Sequence, residues 1–393
     1  MAADRAMTPA ARHRVLMTTD TLGGVWQYAL ELARGLVAAG DKVLLAAMGH
    51  APDDAQRAEA AAIPGLQLRA SDYRLIWMGM PWRDLALAGD WLLALAREYR
   101  PDVVHLNDFG HAALPWPAPV VLVAHSDVVS WWHAVHGTQP PRAWAPYARR
   151  VGDALRMADR LVTPTHQVLE QLHRYYGANR SAHVIHNGRM PPAQRADTDA
   201  REPLVLAAGR VWDRAKNLAM LADIAPALPW PVEIAGEARA PDGARVELPN
   251  VRLPGVLDAD AMQARYARAA IYALPARYEP FGLSALEAAL GGCALVLGDI
   301  PSLREVWGDC ALYVPPDDRD ALRETLDGLI ADAGRLHDYA ARARMRAARY
   351  GAARMCAQYR ALYRSTLAVA RPALRARPLR VPAAVPVPKA VAP

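Results

Sequence analysis

Two carboxylates eight positions apart stand around a sharp turn. Glu279 precedes Pro280, Phe281 and Gly282, and Glu287 follows inside the stretch SALEAALGG. A glutamate in such a loop can accept hydrogen bonds from sugar hydroxyls. One on the following helix can do the same for a ribose. The helix start between them offers N–H groups without an intrahelical partner and the positive end of the helix dipole, which suits a phosphate. Gly282 allows a ligand close to the backbone. A local reading competes: Ser284 and Glu287 have the S-x-x-E spacing of a capping box. Glu287 alone does not separate the two.

A second constellation is AAGRVWDRAKN, residues 207–217, between an apolar run and a helical pattern. Arg210 and Lys216, six apart, can clamp a diphosphate, and fixed cations favour a transition state in which phosphoryl charge develops. The alternative is a pair of solvated surface cations. Basic residues here are nearly all arginine, and the lysines are Lys42, Lys216 and Lys389, which favours a specific task for Lys216. The first loop, TTDTLGG at residues 18–24, places Gly23 and Gly24 before a helix. It reads either as a plain tight turn or as a place where a ligand meets backbone. His125 follows the apolar run VVLVA, at a strand end where α/β proteins gather their sites. A lone histidine there is as compatible with a buried structural role. Trp131 and Trp132 read as an acceptor platform or as ordinary packing. Asp258-x-Asp260 and Asp197-x-Asp199 have a metal-binding look, but Asp258 precedes a helix and reads better as an N-cap. No metal is expected.

The E-x7-E spacing of Glu279 and Glu287 within EPFGLSALE resembles the signature of the retaining glycosyltransferases of family 4, group 1. Gly209, Arg210, Lys216 and Asn217 match that family's GR-x5-KN pattern, and Pro301–Val306 and 314–318 are similar to it too. The resemblance spans residues 14–365. It implies the GT-B fold, with two Rossmann-like doubly wound domains facing across a cleft. It implies a nucleotide-diphosphate sugar as donor, no further cofactor, and retention of anomeric configuration. Arg210 and Lys216 would hold the leaving diphosphate, Glu279 the sugar, Glu287 the ribose and His125 the reacting end. Gly23, Gly24, Asn217, Phe281, Gly282, Leu283 and Ser284 would complete the donor site, with Asp20 and Trp26 lining the cleft. Loops at residues 236–237 and 253–256 would meet the base. Asn187-Gly188 matches the family's hinge, but Arg189-Met190 replaces its usual continuation. The acceptor is not legible. A sugar-nucleotide epimerase or hydrolase of the same fold, or a non-catalytic sugar-nucleotide-binding subunit, are the competing readings.

The elements that must position these residues are short apolar runs alternating with helical patterns. Candidate strands lie at residues 14–18, 42–46, 103–106, 120–124, 160–163 and 183–186, then at 203–208, 232–235, 269–274, 294–297 and 311–314. This rhythm predicts parallel sheets covered by helices. The expected divisions are a first domain at 1–188, a polar proline-rich linker at 189–203 and a second domain at 204–345. A helix at 346–370 crosses back after a break at Gly351, and a basic Pro/Ala-rich tail occupies 371–393.

Of the net charge of +6 in 393 residues, +5 sits on Arg371, Arg375, Arg377, Arg380 and Lys389. The folded part is thus close to neutral, and a nucleic-acid-binding face is not expected. The tail allows at most a weak contact with an anionic membrane surface. The three cysteines form no CxxC pair, against a disulfide scaffold or thiolate zinc site. No P-loop, GxGxxG, HExxH or GxSxG is present. No run reaches the roughly 18 apolar residues of a membrane span and no signal-peptide core is visible, so a cytoplasmic protein is expected.

Overall fold

The computed structural model describes residues 12–177, 182–192, 201–240 and 243–373. The first sheet contains β1 (Arg14–Asp20), β2 (Lys42–Met48), β3 (Gln67–Ala70), β4 (Val103–Leu106), β5 (Val120–Val123), β6 (Arg160–Thr163) and β7 (His183–Val184). Its strands are parallel, in the order β3-β2-β1-β4-β5-β6-β7. The second contains β8 (Glu202–Ala208), β9 (Val232–Ala235), β10 (Arg252–Gly255), β11 (Ala269–Leu274), β12 (Ala294–Gly298) and β13 (Leu312–Val314). It is parallel too, ordered β10-β9-β8-β11-β12-β13.

Strands such as VVLV and AAIYAL are buried along their whole length, because helices cover both faces of a parallel sheet. Two strands were not expected from sequence, β3 and β10. Both are edge strands, largely exposed, so the apolar run that betrays a central strand is missing. Pro254 sits in β10, where an edge tolerates the lost donor. The residues 253–256 read as a base-binding loop are therefore mostly strand.

In each sheet the strand order reverses once, between β1 and β4 and between β8 and β11. Crevices open beyond the carboxyl ends of strands at such switch points. Most of the site residues treated below lie on the loops at these two places or on the loop after β5.

The chain passes between the sheets at two points that touch. Arg189 N donates to Tyr350 O at 3.0 Å, and Ala352 N donates to Arg189 O at 3.2 Å. A Cβ on Gly188 would stand 2.6 Å from Gly351 O, so glycine is required for this approach. The helix Ala333–Ala347 packs on the second sheet through Ala343 and Ala347. After Gly351 the helix Ala352–Ala373 returns to the first sheet, burying Met355, Tyr359, Leu362 and Tyr363 beside Val15, Met17 and Leu32. It runs past position 371, where the tail was expected to begin. Residues 374–393, the DxD string at 197–199 and most of the linker lie outside the described residues. No helix among the described residues is long and apolar enough to cross a membrane.

The halves also meet along the cleft. Glu305, from the second, accepts from His166 N at 2.8 Å and Gln167 N at 3.0 Å, capping a first-half helix (His166–Tyr176). Thr165 donates to Pro280 O at 3.0 Å.

Candidate active site

The second-half wall is made by the loops after β8 and β11. The Lys216 ammonium pairs with Glu279 Oε2, both side chains largely buried. Glu279 Oε1 accepts from Gly282 N at 2.9 Å, so this carboxylate ties a cation to a helix start. That helix, Leu283–Gly291, has Gly282 as its N-cap at φ 89° and no side-chain cap. A side chain at that φ would be strained. The first N–H groups, at Leu283 and Ser284, therefore have no side-chain cap. The Ser284 hydroxyl accepts from Tyr272 at 2.7 Å instead, and the capping box allowed by the sequence does not form.

Glu287 pairs with Arg189 at 2.5 Å, and Arg189 also reaches Glu31 at 3.3 Å. The residue that departs from the family's hinge pattern thus links the helix carrying Glu287 to the first helix of the chain (Gly24–Ala38).

Arg210 Nη2 donates to Asp213 Oδ2 at 2.6 Å, and its guanidinium lies 5.2 Å from the Trp212 ring centroid. Asp213 is 4% exposed and accepts from Trp131 Nε1, across the cleft, at 3.0 Å. Burial pushes the Asp213 carboxyl up, but Arg210 and Lys216 on either side outweigh it and hold the pKa below the usual value.

The first-half wall is made by the loops after β1, β4 and β5. Gly23 caps the helix Gly24–Ala38 without any side-chain cap. A Cβ on Gly23 would stand 3.7 Å from Arg210 Nη1, and one on Gly24 would stand 3.5 Å from Leu283 Cδ1. Two helix starts without side-chain caps and two cations thus stand around one crevice, an arrangement whose charge suits an anion.

Beside it, a cavity of about 70 Å³ is lined by Asp20, Trp77, Asn107, Asp108, His125 and neighbouring residues. Asp20 accepts from Leu22 N at 2.9 Å, and burial raises its pKa to about 6 against the opposing pull of that bond and of Arg210. Burial lowers His125 to about 3, so the ring is neutral. Its Nε2 is 2.8 Å from Asn107 Oδ1, and its ring stands edge-to-face with Tyr28, the centroids 4.5 Å apart.

A Glycosyltransferase Family 4 profile matches residues 22–189, and a Glycosyl transferases group 1 profile matches 202–332. The chain belongs to the group 1 glycosyltransferases. It is 29% identical over 370 residues to a glycogen synthase of Mycobacterium tuberculosis, covering 84% of this chain and 86% of that one. It is 29% identical over 378 residues to a D-inositol 3-phosphate glycosyltransferase of Xylanimonas cellulosilytica, covering 85% and 89%. HepE from Anabaena, solved with UDP-glucose, superposes with a TM-score of 0.71 at 17% identity, covering 91% of this chain and 100% of that one. That structure has the GT-B fold.

In this glycosyltransferase, Arg210, Lys216, Glu279, Gly282, Leu283, Ser284, Gly23 and Gly24 meet around the crevice. Five residues are placed elsewhere. Asn217 sits at the head of helix Leu218–Ile224, and its amide donates to Pro275 O at 2.9 Å and Pro316 O at 2.6 Å. Both amide hydrogens are committed to backbone, so it braces the loops rather than facing a ligand. Phe281 is buried against His186 and Tyr350, under the turn. Trp26 is core, with Nε1 donating to Glu59 at 2.8 Å. Trp131 is a strut to Asp213. Asp258 accepts from Ala261 N at 2.8 Å, an N-cap.

Sequence reading missed Asp213, Asn107 and Asp108. Asp213 was visible as the acid midway between Arg210 and Lys216. Asn107 and Asp108 directly follow β4, a switch-point strand, and that position was the available signal.

Proposed function

We propose that the enzyme transfers a hexose from a nucleotide-diphosphate sugar to a hydroxyl-rich acceptor, with retention of anomeric configuration. The observation that carries the reading is the convergence of Arg210, Lys216 and two uncapped helix starts on one crevice between the switch points. The diphosphate lies there, with Glu287 toward the ribose and Glu279 toward the sugar. The acceptor enters over Asp20, Asn107, Asp108 and Trp77.

In the chemical step the acceptor oxygen bonds to the anomeric carbon as the bond to the diphosphate oxygen breaks. That departing oxygen takes the acceptor proton from the same face. Arg210, Lys216 and the N–H groups of Leu283 and Ser284 stabilise the charge that grows on the leaving group. Neutral His125 takes no proton in this step and contributes hydrogen bonding and shape beside the sugar. Contacts across the cleft exclude water and so suppress hydrolysis.

A thermal-shift screen with UDP-, GDP- and ADP-glucose tests the donor site, since binding raises apparent stability by mass action. The sugar nucleotide that raises Tm is then given to neutral oligosaccharides and polyols. The expected result is transfer, with the product keeping the donor's anomeric configuration by NMR. An inverted product overturns the mechanism, and release of free sugar without transfer overturns the activity.

A further inference from the structure

We propose that the first-half cavity takes an uncharged sugar or polyol as acceptor and rejects its phosphate ester. Asp20 and Asp108 make that distinction, and Trp77 is the surface on which the ring rests. The proposal names the acceptor class for the transfer reaction above and rests on that reading.

The sheet order divides the cavity lining into two sides. β3 and β2 stand at one edge of the first sheet, and beyond their carboxyl ends lie Met48, Leu75, Ile76 and Trp77. All four are apolar or aromatic, and Trp77 is half-buried. β1, β4 and β5 come next in the sheet, and their ends supply Asp20, Asn107, Asp108 and His125. A sugar ring has the same two characters, C–H groups over its faces and hydroxyls around its edge. An aromatic side chain packs on the first, and carboxylate oxygens accept from the second.

Charge then selects among such molecules. Asp20 and Asp108 are the acids of this lining, which among the described residues includes no lysine or arginine. Asp20 commits one oxygen, Oδ1, to Leu22 N, which leaves Oδ2 to a ligand. Asp108 Oδ1 accepts from Gly110 N at 2.8 Å and lies 2.8 Å from His111 Nδ1, while its Oδ2 has the long contact with the Thr18 hydroxyl, at 3.3 Å. Burial pushes the Asp108 carboxyl up, but His111 and these hydrogen bonds outweigh it and hold the pKa below the ordinary value. Asp20 rises only to about 6. Both are ionised at pH 7.5.

No nearby cation is free to offset them. His111 is buried behind Asp108, its Nε2 turned to Leu85 O at 3.3 Å. His125 is neutral, its pKa lowered to about 3 by burial. Arg210 acts on Asp20, but it donates to Asp213 and faces the proposed diphosphate. A phosphate ester in this cavity therefore meets two carboxylates on one side and the donor's own phosphates on the other. Like charges so placed weaken binding by about a hundredfold or more.

The test measures transfer by the full-length enzyme from UDP-, GDP- or ADP-glucose, whichever raises Tm. The acceptors are matched pairs: glucose and glucose 6-phosphate, fructose and fructose 6-phosphate, myo-inositol and inositol 1-phosphate. The uncharged member of a pair is expected to have a kcat/KM about a hundredfold or more above its ester. Asp20→Asn keeps the oxygen that Leu22 N needs and removes the charge. The ratio within a pair then falls about tenfold because the ester gains, and Asp108→Asn acts in the same direction. Structural damage alone lowers both members together and leaves the ratio as it was. Trp77→Ala raises the KM of the uncharged acceptor and leaves donor affinity unchanged.

An ester used as well as its uncharged partner overturns the proposal and leaves the transfer reaction standing. So does a ratio that Asp20→Asn leaves unchanged, and this variant decides alone if Asp108→Asn does not fold. An unchanged acceptor KM in Trp77→Ala overturns the part given to Trp77. No transfer to any member of the pairs, nor to the oligosaccharides above, refutes the transfer reading itself.

Discussion

Lys216→Met separates the two tasks of that lysine. Its ammonium neutralises Glu279, both side chains being less than a fifth exposed, and it faces the crevice where the diphosphate is proposed to lie. Removing one partner of a fully buried ion pair costs about 3–5 kcal/mol. Here Glu279 Oε1 still accepts from Gly282 N at 2.9 Å, so only one carboxylate oxygen is abandoned, and about 1–3 kcal/mol is expected. For a domain of this size that is a drop of roughly 2–10 °C in Tm. Catalysis responds on a different scale, because a contact made only with the leaving group's growing charge is worth about 10²–10³ in kcat.

Tm and kcat are measured in parallel for Lys216→Met, Glu279→Gln and the double variant. In the double variant the unpaired charge is gone, so Tm recovers while kcat stays low. Turnover of Lys216→Met within about threefold of wild type, with Tm lowered, would refute the reasoning. Lys216 would then be a structural partner of Glu279 alone.

Trp131→Phe removes the N–H that holds Asp213 across the cleft while keeping most of the packing, so kcat should fall about tenfold with Tm lowered by only a few degrees. Glu287→Ala should weaken UDP binding measured by calorimetry, and an unchanged affinity would remove Glu287 from the ribose contact. Asp20→Asn tests the raised carboxyl. Its folded pKa of about 6 lies above the ordinary 3.8, so the folded state binds the extra proton and stability falls as pH rises from about 4 to 6. The substitution should therefore raise stability at pH 7.5 by about 1–2 kcal/mol, discounted for partial exposure, and do little at pH 4. Gly188→Ala should cost several degrees of Tm or abolish soluble expression, because its Cβ would meet Gly351 O at 2.6 Å.

The central strands were legible because a strand buried on both faces tends to be apolar throughout, as VVLV and AAIYAL are. β3 and β10 were not, since an edge strand carries no such run. The break at Gly351 was legible because glycine and the change of helical pattern coincide there. Its continuation to Ala373 was not, since Arg371 and Pro372 read as tail.

Among site residues, the sequence by itself determined the types: a glycine where φ is positive at position 282, two cations six apart, and two carboxylates around one turn. These are local properties, set by backbone conformation and by spacing along a loop and a helix. Tertiary structure alone decided which of them share a crevice. It turned Asn217 onto Pro275 and Pro316, made Trp131 a strut for Asp213, and gave Glu287 to Arg189 rather than to a cap with Ser284. It also brought Tyr363 beside His105, 258 positions away. Hydrogen-bond partners and burial depend on which strand ends the sheet order places side by side, and that order is not written in any window of sequence.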